Sequence, residues 1–170
     1  AGLPIGEVVL ASNANLTVPD FLNSGEWQPR PSVATLASAM DVGNPSNMER
    51  LRWLFPSIEQ LRGKVSAVAV SDDEIRAAIR RDHRELGQMW CPHTATAAHV
   101  HRGLPPARRA ERWVLVATAH PAKFNDIVEP LIGEAVPVPP ALAALLELPS
   151  VQTQVEPNLE ALRAVLTEAA

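Results

Sequence analysis

Three short valine-rich runs stand out along this chain: Glu7–Ala11 (EVVLA), Val65–Val70 (VSAVAV) and Trp113–Ala117 (WVLVA). None shows the regular polar alternation of a half-exposed strand. Strands of a parallel sheet, covered on both faces, read in this way. The segments between them carry helical spacing. Asp72–Leu86 follows Ser71, an N-cap residue, with Glu74 three positions later as in a capping box, and Ile75, Ala78, Ile79 and Leu86 fall on one face. Pro45–Leu61 places Met48, Leu51, Leu54, Phe55 and Ile58 at helical intervals, with a break expected at Pro56. Ala141–Leu148 and Asn158–Glu168 read as two closing helices, and the proline-rich stretch VPVPPALAALLELPS as a packed surface crossing. Strand–helix–strand order predicts an α/β fold, a partial three-layer sandwich whose short, mostly parallel sheet is flanked by helices.

Composition narrows the class. A chain of 170 residues suits one domain with a real core. The net charge of -4 argues against a nucleic-acid surface, which wants a concentrated positive field. No apolar run is long enough to span a membrane, and AGLPIGEVVLASNAN has neither the basic leader nor the hydrophobic core of a secretory signal. The single cysteine, Cys91, excludes an internal disulfide and fits a reducing compartment, so a cytoplasmic protein is expected. AGLPI reads as the tail of a helix running into a strand, which leads us to expect a cut inside a longer protein. Three strands are few for such a sheet. An incomplete sheet leaves an exposed edge, and self-association is the expected consequence.

Candidate chemistry lies in the loops after the strands, where open α/β sheets place ligands. SNANLTVPDFL offers Asn13, Asn15 and Thr17, and capping of a helix through Phe21 is the simpler role for Asn15 or Thr17. AMDVGNPSNMER holds the turn formers Asn44, Pro45 and Ser46 beside Asp41, which either stands at the turn or points into a cleft. In ATAHPAKF, Thr118 would stand at the carboxyl end of the third strand, with Pro121 at the first position of a helix. Its simpler reading makes Thr118 the cap and pairs His120 with a backbone carbonyl. WCPHTATAAHVH carries Cys91, His93, His99 and His101, but the spacing is poor for zinc and no metal site is assigned. Pro92 is expected to start a helix that packs through Thr94, Ala95 and Ala98, with His99 and His101 toward solvent. A Cys91–His93 pair at i and i+2 would point apart, and the glycines are scattered, so neither a nucleophile nor a phosphate loop emerges.

Three stretches taken together, SNANLTVPDFLNSGEWQPRPSVATLASAMDVGNPSNMERL, CPHTATAAHV and ATAHPAKF, resemble the carboxy-terminal part of the threonine synthase family. The resemblance runs the length of the chain and implies a pyridoxal-phosphate enzyme of fold type II that converts O-phospho-L-homoserine and water to L-threonine and phosphate. It implies that residues 1–170 form the C-terminal part of the large cofactor-binding domain, with 134–170 as a helical extension. The family's cofactor-binding lysine and phosphate-cradling loop precede this region, and neither Lys64 nor Lys123 sits in such a motif. The chain alone is therefore expected to be inactive, to contribute no catalytic residue and not to retain pyridoxal phosphate.

The resemblance places Thr118 against the pyridine nitrogen of the cofactor and Asp41 on the substrate side of the cleft. The residue before Pro92 is often acidic in the family; here it is Cys91, for which packing is expected. His120 and Lys123 are expected to fix the turn that aims Thr118. Two other readings stand beside this one: a fragment of another fold-type II lyase or dehydratase, and a catalytically silent α/β domain that binds a partner or small ligand.

Overall fold

A computed structural model describes residues 4–168. It divides into two compact units, Ala1–Pro137 and Val138–Ala170. In the first, β1 (Val8–Ser12) is followed by α1 (Thr17–Ser24), α2 (Met48–Leu54), α3 (Ile58–Arg62) and β2 (Val65–Ala69). Then come α4 (Asp72–Leu86), α5 (Pro92–Gly103), α6 (Pro106–Arg109) and α7 (Asn125–Ile132). Two 3₁₀ turns, Ser38–Met40 and Pro121–Phe124, interrupt the loops. β1 and β2 pair in parallel, with Val8 opposite Val65 and Ser12 opposite Ala69. A parallel pair needs a long crossover, and α1 to α3 supply it.

The pleat of β1 divides the interior. Successive strand residues face opposite sides: Val9 and Ala11 pack against a core of Ile75, Ala78 and Ile79 from α4, Ala95 from α5 and Val128 from α7. Leu10 turns the other way, toward Phe21 and Leu22 of α1, Met48 of α2 and Leu61 of α3. Helices thus cover both faces of a short parallel sheet, the α/β sandwich expected from the sequence.

Local chemistry explains most boundaries. α4 starts with a complete capping box: Ser71 Oγ accepts from the Glu74 amide, and the Glu74 carboxylate accepts from the Ser71 amide at 2.8 Å. It stops at Gly87, whose φ of 65° closes the left-handed turn. Pro56 separates α2 from α3, and Ser57 caps the second through the Gln60 amide.

Three expectations need correction. Trp113–Ala117 runs without a strand partner among the described residues, and Val114 and Val116 are 83% and 71% exposed. Valine-rich composition made it resemble a buried strand, but a strand exists only through its neighbour's hydrogen bonds. α1 is not capped by Asn15 or Thr17: Leu16 holds the N-cap position, and both polar side chains are drawn into longer-range contacts. The expected packed crossing at 136–150 also fails over most of its length. Val136 is buried, yet Leu145, Leu146 and Leu148 are exposed.

The second unit holds α8 (Pro140–Leu146) and α9 (Leu159–Glu168). The helix tail expected at AGLPI begins on residues outside the described range.

Candidate functional site

The carboxyl end of β1 opens into a polar knot built by two asparagines and one aspartate. Asn13 is fully buried, and its Nδ2 donates to Asp41 Oδ1 at 2.7 Å and to Thr35 Oγ1 at 2.8 Å. Thr35 donates to the same carboxylate from its hydroxyl at 2.7 Å and from its amide at 3.0 Å. Asn15 pairs in both directions with the Val33 backbone, donating to its carbonyl at 2.9 Å and accepting from its amide at 2.8 Å. Residues 33–41 therefore fold as a loop pinned from beneath by β1. A further tie comes from the first residue of α4, where Asp72 Oδ1 accepts from the Leu36 amide at 3.0 Å. Thr17 completes the framework by donating to the Gly43 carbonyl at 2.8 Å.

Thr118 lies at the end of the extended run after Trp113. It is exposed, makes no side-chain hydrogen bond among the described residues, and lines a hollow of about 650 Å³. Met89, Trp90, Cys91, His120 and Pro121 share that wall. The turn behind Thr118 is fixed by His120, whose Nδ1 accepts from the Ala122 amide at 3.2 Å, and by Pro121 at the first position of the 3₁₀ segment. His120, not Thr118, is therefore the cap, and His120 pairs with an amide where a carbonyl was expected. Lys123 is exposed and forms no ion pair among the described residues.

α5 forms as expected from Pro92, with Thr94, Ala95 and Ala98 buried. Cys91 caps it: Sγ accepts from the Thr94 amide at 3.4 Å. His99 and His101 are only partly exposed, less than expected, because His99 Nε2 lies 3.6 Å from Glu74 and His101 stacks edgewise on Trp113. Cys91 and His93 do point apart, the thiol toward Thr94 and the imidazole toward Ala39 and Phe124. Among the described residues no group of three His, Cys, Asp or Glu side chains converges to hold a metal ion.

Asp41 and Thr118 do not share one wall. Asp41 Oδ1 and Oδ2 are occupied by the knot, and the Thr118 hollow is not lined by it. His93 reaches the loop that carries Asp41. Its Nε2 accepts from the Ala39 amide at 3.0 Å, two residues before Asp41, and its ring packs on Phe124 at 4.9 Å. Burial pushes its pKa below the ordinary imidazole value, Asp41 opposes this, and Lys123 adds to it. This bridging role escapes sequence reasoning because its partners lie 54 residues back and 31 forward. The asparagine knot escapes it too, although two buried-strand-adjacent asparagines in SNAN were a usable signal.

Comparison with known proteins adds a context for this geometry. The family model described as threonine synthase, C-terminal, matches residues 94–166. The chain is 43% identical to threonine synthase of Serratia marcescens over 149 residues, which is 87% of this chain and 34% of the relative. It is 39% identical to that of Escherichia coli (strain K12) over 167 residues, 97% of this chain and 38% of the relative. Among solved structures, it is similar to the crystal structure of threonine synthase from Escherichia coli, with TM-score 0.79 and 34% identity over 99% of this chain and 39% of that one. It is also similar to a PLP-bound threonine synthase from Brucella melitensis, with TM-score 0.77 and 25% identity over 98% of this chain and 41% of the other. The chain thus spans under half the length of the relatives it matches.

Proposed function

Because the chain belongs to the threonine synthase family and matches its C-terminal portion, we propose that it supplies one wall of a pyridoxal-phosphate site. The activity we assign to the whole protein is conversion of O-phospho-L-homoserine and water to L-threonine and phosphate. The observation that carries this reading is the Thr118 hydroxyl, which has no side-chain hydrogen-bond partner among the described residues and stands on the rim of a hollow of about 650 Å³.

The residues present fit the cofactor's ring. A neutral hydroxyl can hydrogen-bond a pyridine nitrogen, whereas a carboxylate would hold that nitrogen protonated. Bound there, the cofactor supplies an electron sink for carbanion chemistry, and Thr118 moderates its strength by leaving the nitrogen without an ion pair. His120 and Pro121 hold the backbone that aims the hydroxyl. Asp41 acts from the substrate side through the loop it organises, since its carboxylate is already saturated by Asn13 and Thr35. Neither Lys64 nor Lys123 lines the hollow, so this chain offers no amine for covalent attachment. Residues 1–170 form the C-terminal part of the large cofactor-binding domain in this reading, with 134–170 its helical extension. The open edges of the two-stranded sheet are the surface through which the isolated chain would self-associate.

Two measurements test this. Thr118→Ala in the full-length enzyme is expected to lower turnover of O-phosphohomoserine more than it lowers cofactor content; unchanged turnover removes Thr118 from the role. Pyridoxal phosphate added to residues 1–170 alone is expected to give no specific borohydride-fixable adduct. A specific adduct on Lys64 or Lys123 would overturn the division of labour. Activity on serine in place of O-phosphohomoserine would move the assignment to another lyase of the same fold.

A further inference from the structure

Gly87, Met89, Trp90 and Cys91 all line the Thr118 hollow, and all belong to the linker between α4 and α5. The backbone of this linker has little to hold it: the amides of Met89, Trp90 and Cys91 make no backbone hydrogen bond among the described residues. Asp82 holds it twice. Its carbonyl accepts from the Gln88 amide at 3.3 Å, and its carboxylate Oδ2 accepts from the Trp90 indole N–H at 3.1 Å. Asp82 is 3% exposed, and burying a carboxylate is costly unless its oxygens are paired. Oδ1 pairs with Arg81 Nε at 2.8 Å and lies 3.8 Å from Arg102, whereas Oδ2 has the indole as its one partner among the described residues. Asp82 does not itself line the Thr118 hollow, so its influence there passes through Trp90 and the linker. Met89 and Trp90 also pack against the core of α4, α5 and α7, but apolar packing has no direction. The hydrogen bond supplies one: the indole cannot swing out of the wall without giving up Oδ2.

We propose that Asp82 is a positioning residue of this site: by accepting the Trp90 indole proton it locks the linker wall against which the ligand of the Thr118 hollow packs. An indole held by its N–H offers a fixed aromatic surface, the complement of a flat heteroaromatic ring. A wall set before binding also spares the ligand the cost of ordering it. The inference deepens the cofactor-site reading and rests on it only for the identity of that ring.

The test uses the full-length protein, stripped of cofactor and labelled with ¹⁵N-tryptophan, with pyridoxal phosphate as the probe. Trp90→Phe identifies the Trp90 indole resonance, and in the wild type that N–H is expected to exchange slowly with water. Asp82→Leu removes both oxygens. It should speed the exchange and weaken pyridoxal phosphate binding about tenfold each, the loss expected for one hydrogen bond to a charged group. Asp82→Asn keeps an oxygen for the indole while losing the Arg81 pair, and should retain most of the protection and the affinity. Trp90→Phe should weaken binding as Asp82→Leu does, and the double variant no further, because the two residues act as one unit. Should Asp82→Leu fail to fold, Trp90→Phe carries the test, and wild-type affinity in that variant overturns the proposal. A lower melting midpoint with unchanged affinity gives Asp82 a structural role alone and overturns it too. So do equal losses in Asp82→Asn and Asp82→Leu, which assign the effect to Arg81, and a fast-exchanging Trp90 N–H in the wild type. If the wild type takes up no pyridoxal phosphate, the cofactor reading fails and Asp82 is judged on the indole exchange alone: slow exchange released by Asp82→Leu supports its role, and exchange unchanged by that variant overturns it.

Discussion

Asn13 and Asp41, 28 residues apart, meet at 2.7 Å, and their contact decides the shape of the loop above β1. Asp41 Oδ1 accepts from Asn13 Nδ2 and Thr35 Oγ1, while Oδ2 takes the Thr35 amide. Asp41→Asn replaces one acceptor oxygen with a donor that must face another donor. Its expected cost is about 2–3 kcal/mol, in the range for hydrogen bonds to a charged group. A denaturant titration checks this; an unchanged midpoint would show the knot to be dispensable.

Gly43 lies against backbone from the neighbouring loop. A Cβ built there would sit 1.8 Å from the Arg30 carbonyl oxygen, and the Arg30 amide donates to the Gly43 carbonyl at 3.0 Å. Neither backbone can withdraw without breaking this bond and the one from Thr17. Gly43→Ala is expected to destabilise the protein by about 1–3 kcal/mol, as overpacking does. Thermal melting reads it, and the same substitution at Gly6, where nothing lies within 4 Å, is the control.

The capping box of α4 gives a smaller and cleaner expectation. Ser71→Ala removes the acceptor for the Glu74 amide, and a lost cap of this kind costs about 1 kcal/mol. Ser71→Asp, which restores an acceptor at the positive end of the helix, should recover most of it. Failure of that rescue in a urea titration would locate the effect elsewhere than the cap.

Acid should weaken the fold in two windows. His93 has a folded pKa below its unfolded value of about 6.5, so the unfolded chain binds the proton first. Its contribution is present above that value and declines as pH falls through and beneath it. Glu74, lowered chiefly by its hydrogen bonds with the Ser71 backbone and side chain, contributes above about 4.5 and is lost at lower pH. Stability measured against pH should therefore decline below about 6.5, and His93→Gln should flatten that first decline. A slope identical in wild type and variant would remove His93 as its source.

What the sequence disclosed tracks how local the determining forces are. Asp72–Leu86 is legible end to end because Ser71, Glu74 and Gly87 all act within a turn of the helix. Val65–Ala69 and Val8–Ser12 are legible as apolar runs that find each other in parallel. Trp113–Ala117 has the same composition but no neighbour here, and composition cannot report a missing hydrogen-bond partner. At the candidate site, the position of Thr118 at the end of its run was readable, while Asn15 and Thr17 looked like helix caps. Their hydroxyl and amide groups instead reach Gly43 and Val33, a choice made by tertiary contacts. His93 read as half of a poor metal or nucleophile pair for the same reason: its partners arrive only when α5 packs beneath the loop.

Trp90 forms part of the wall of both the Thr118 hollow and a second one of about 410 Å³ bounded by Asp82, His101 and Arg109. Its indole N–H is moored to the buried Asp82 carboxylate at 3.1 Å, which keeps the ring as a fixed partition between two rooms. The protein thereby carries an intrinsic optical gauge: whatever enters either chamber must alter the surroundings of the same fluorophore.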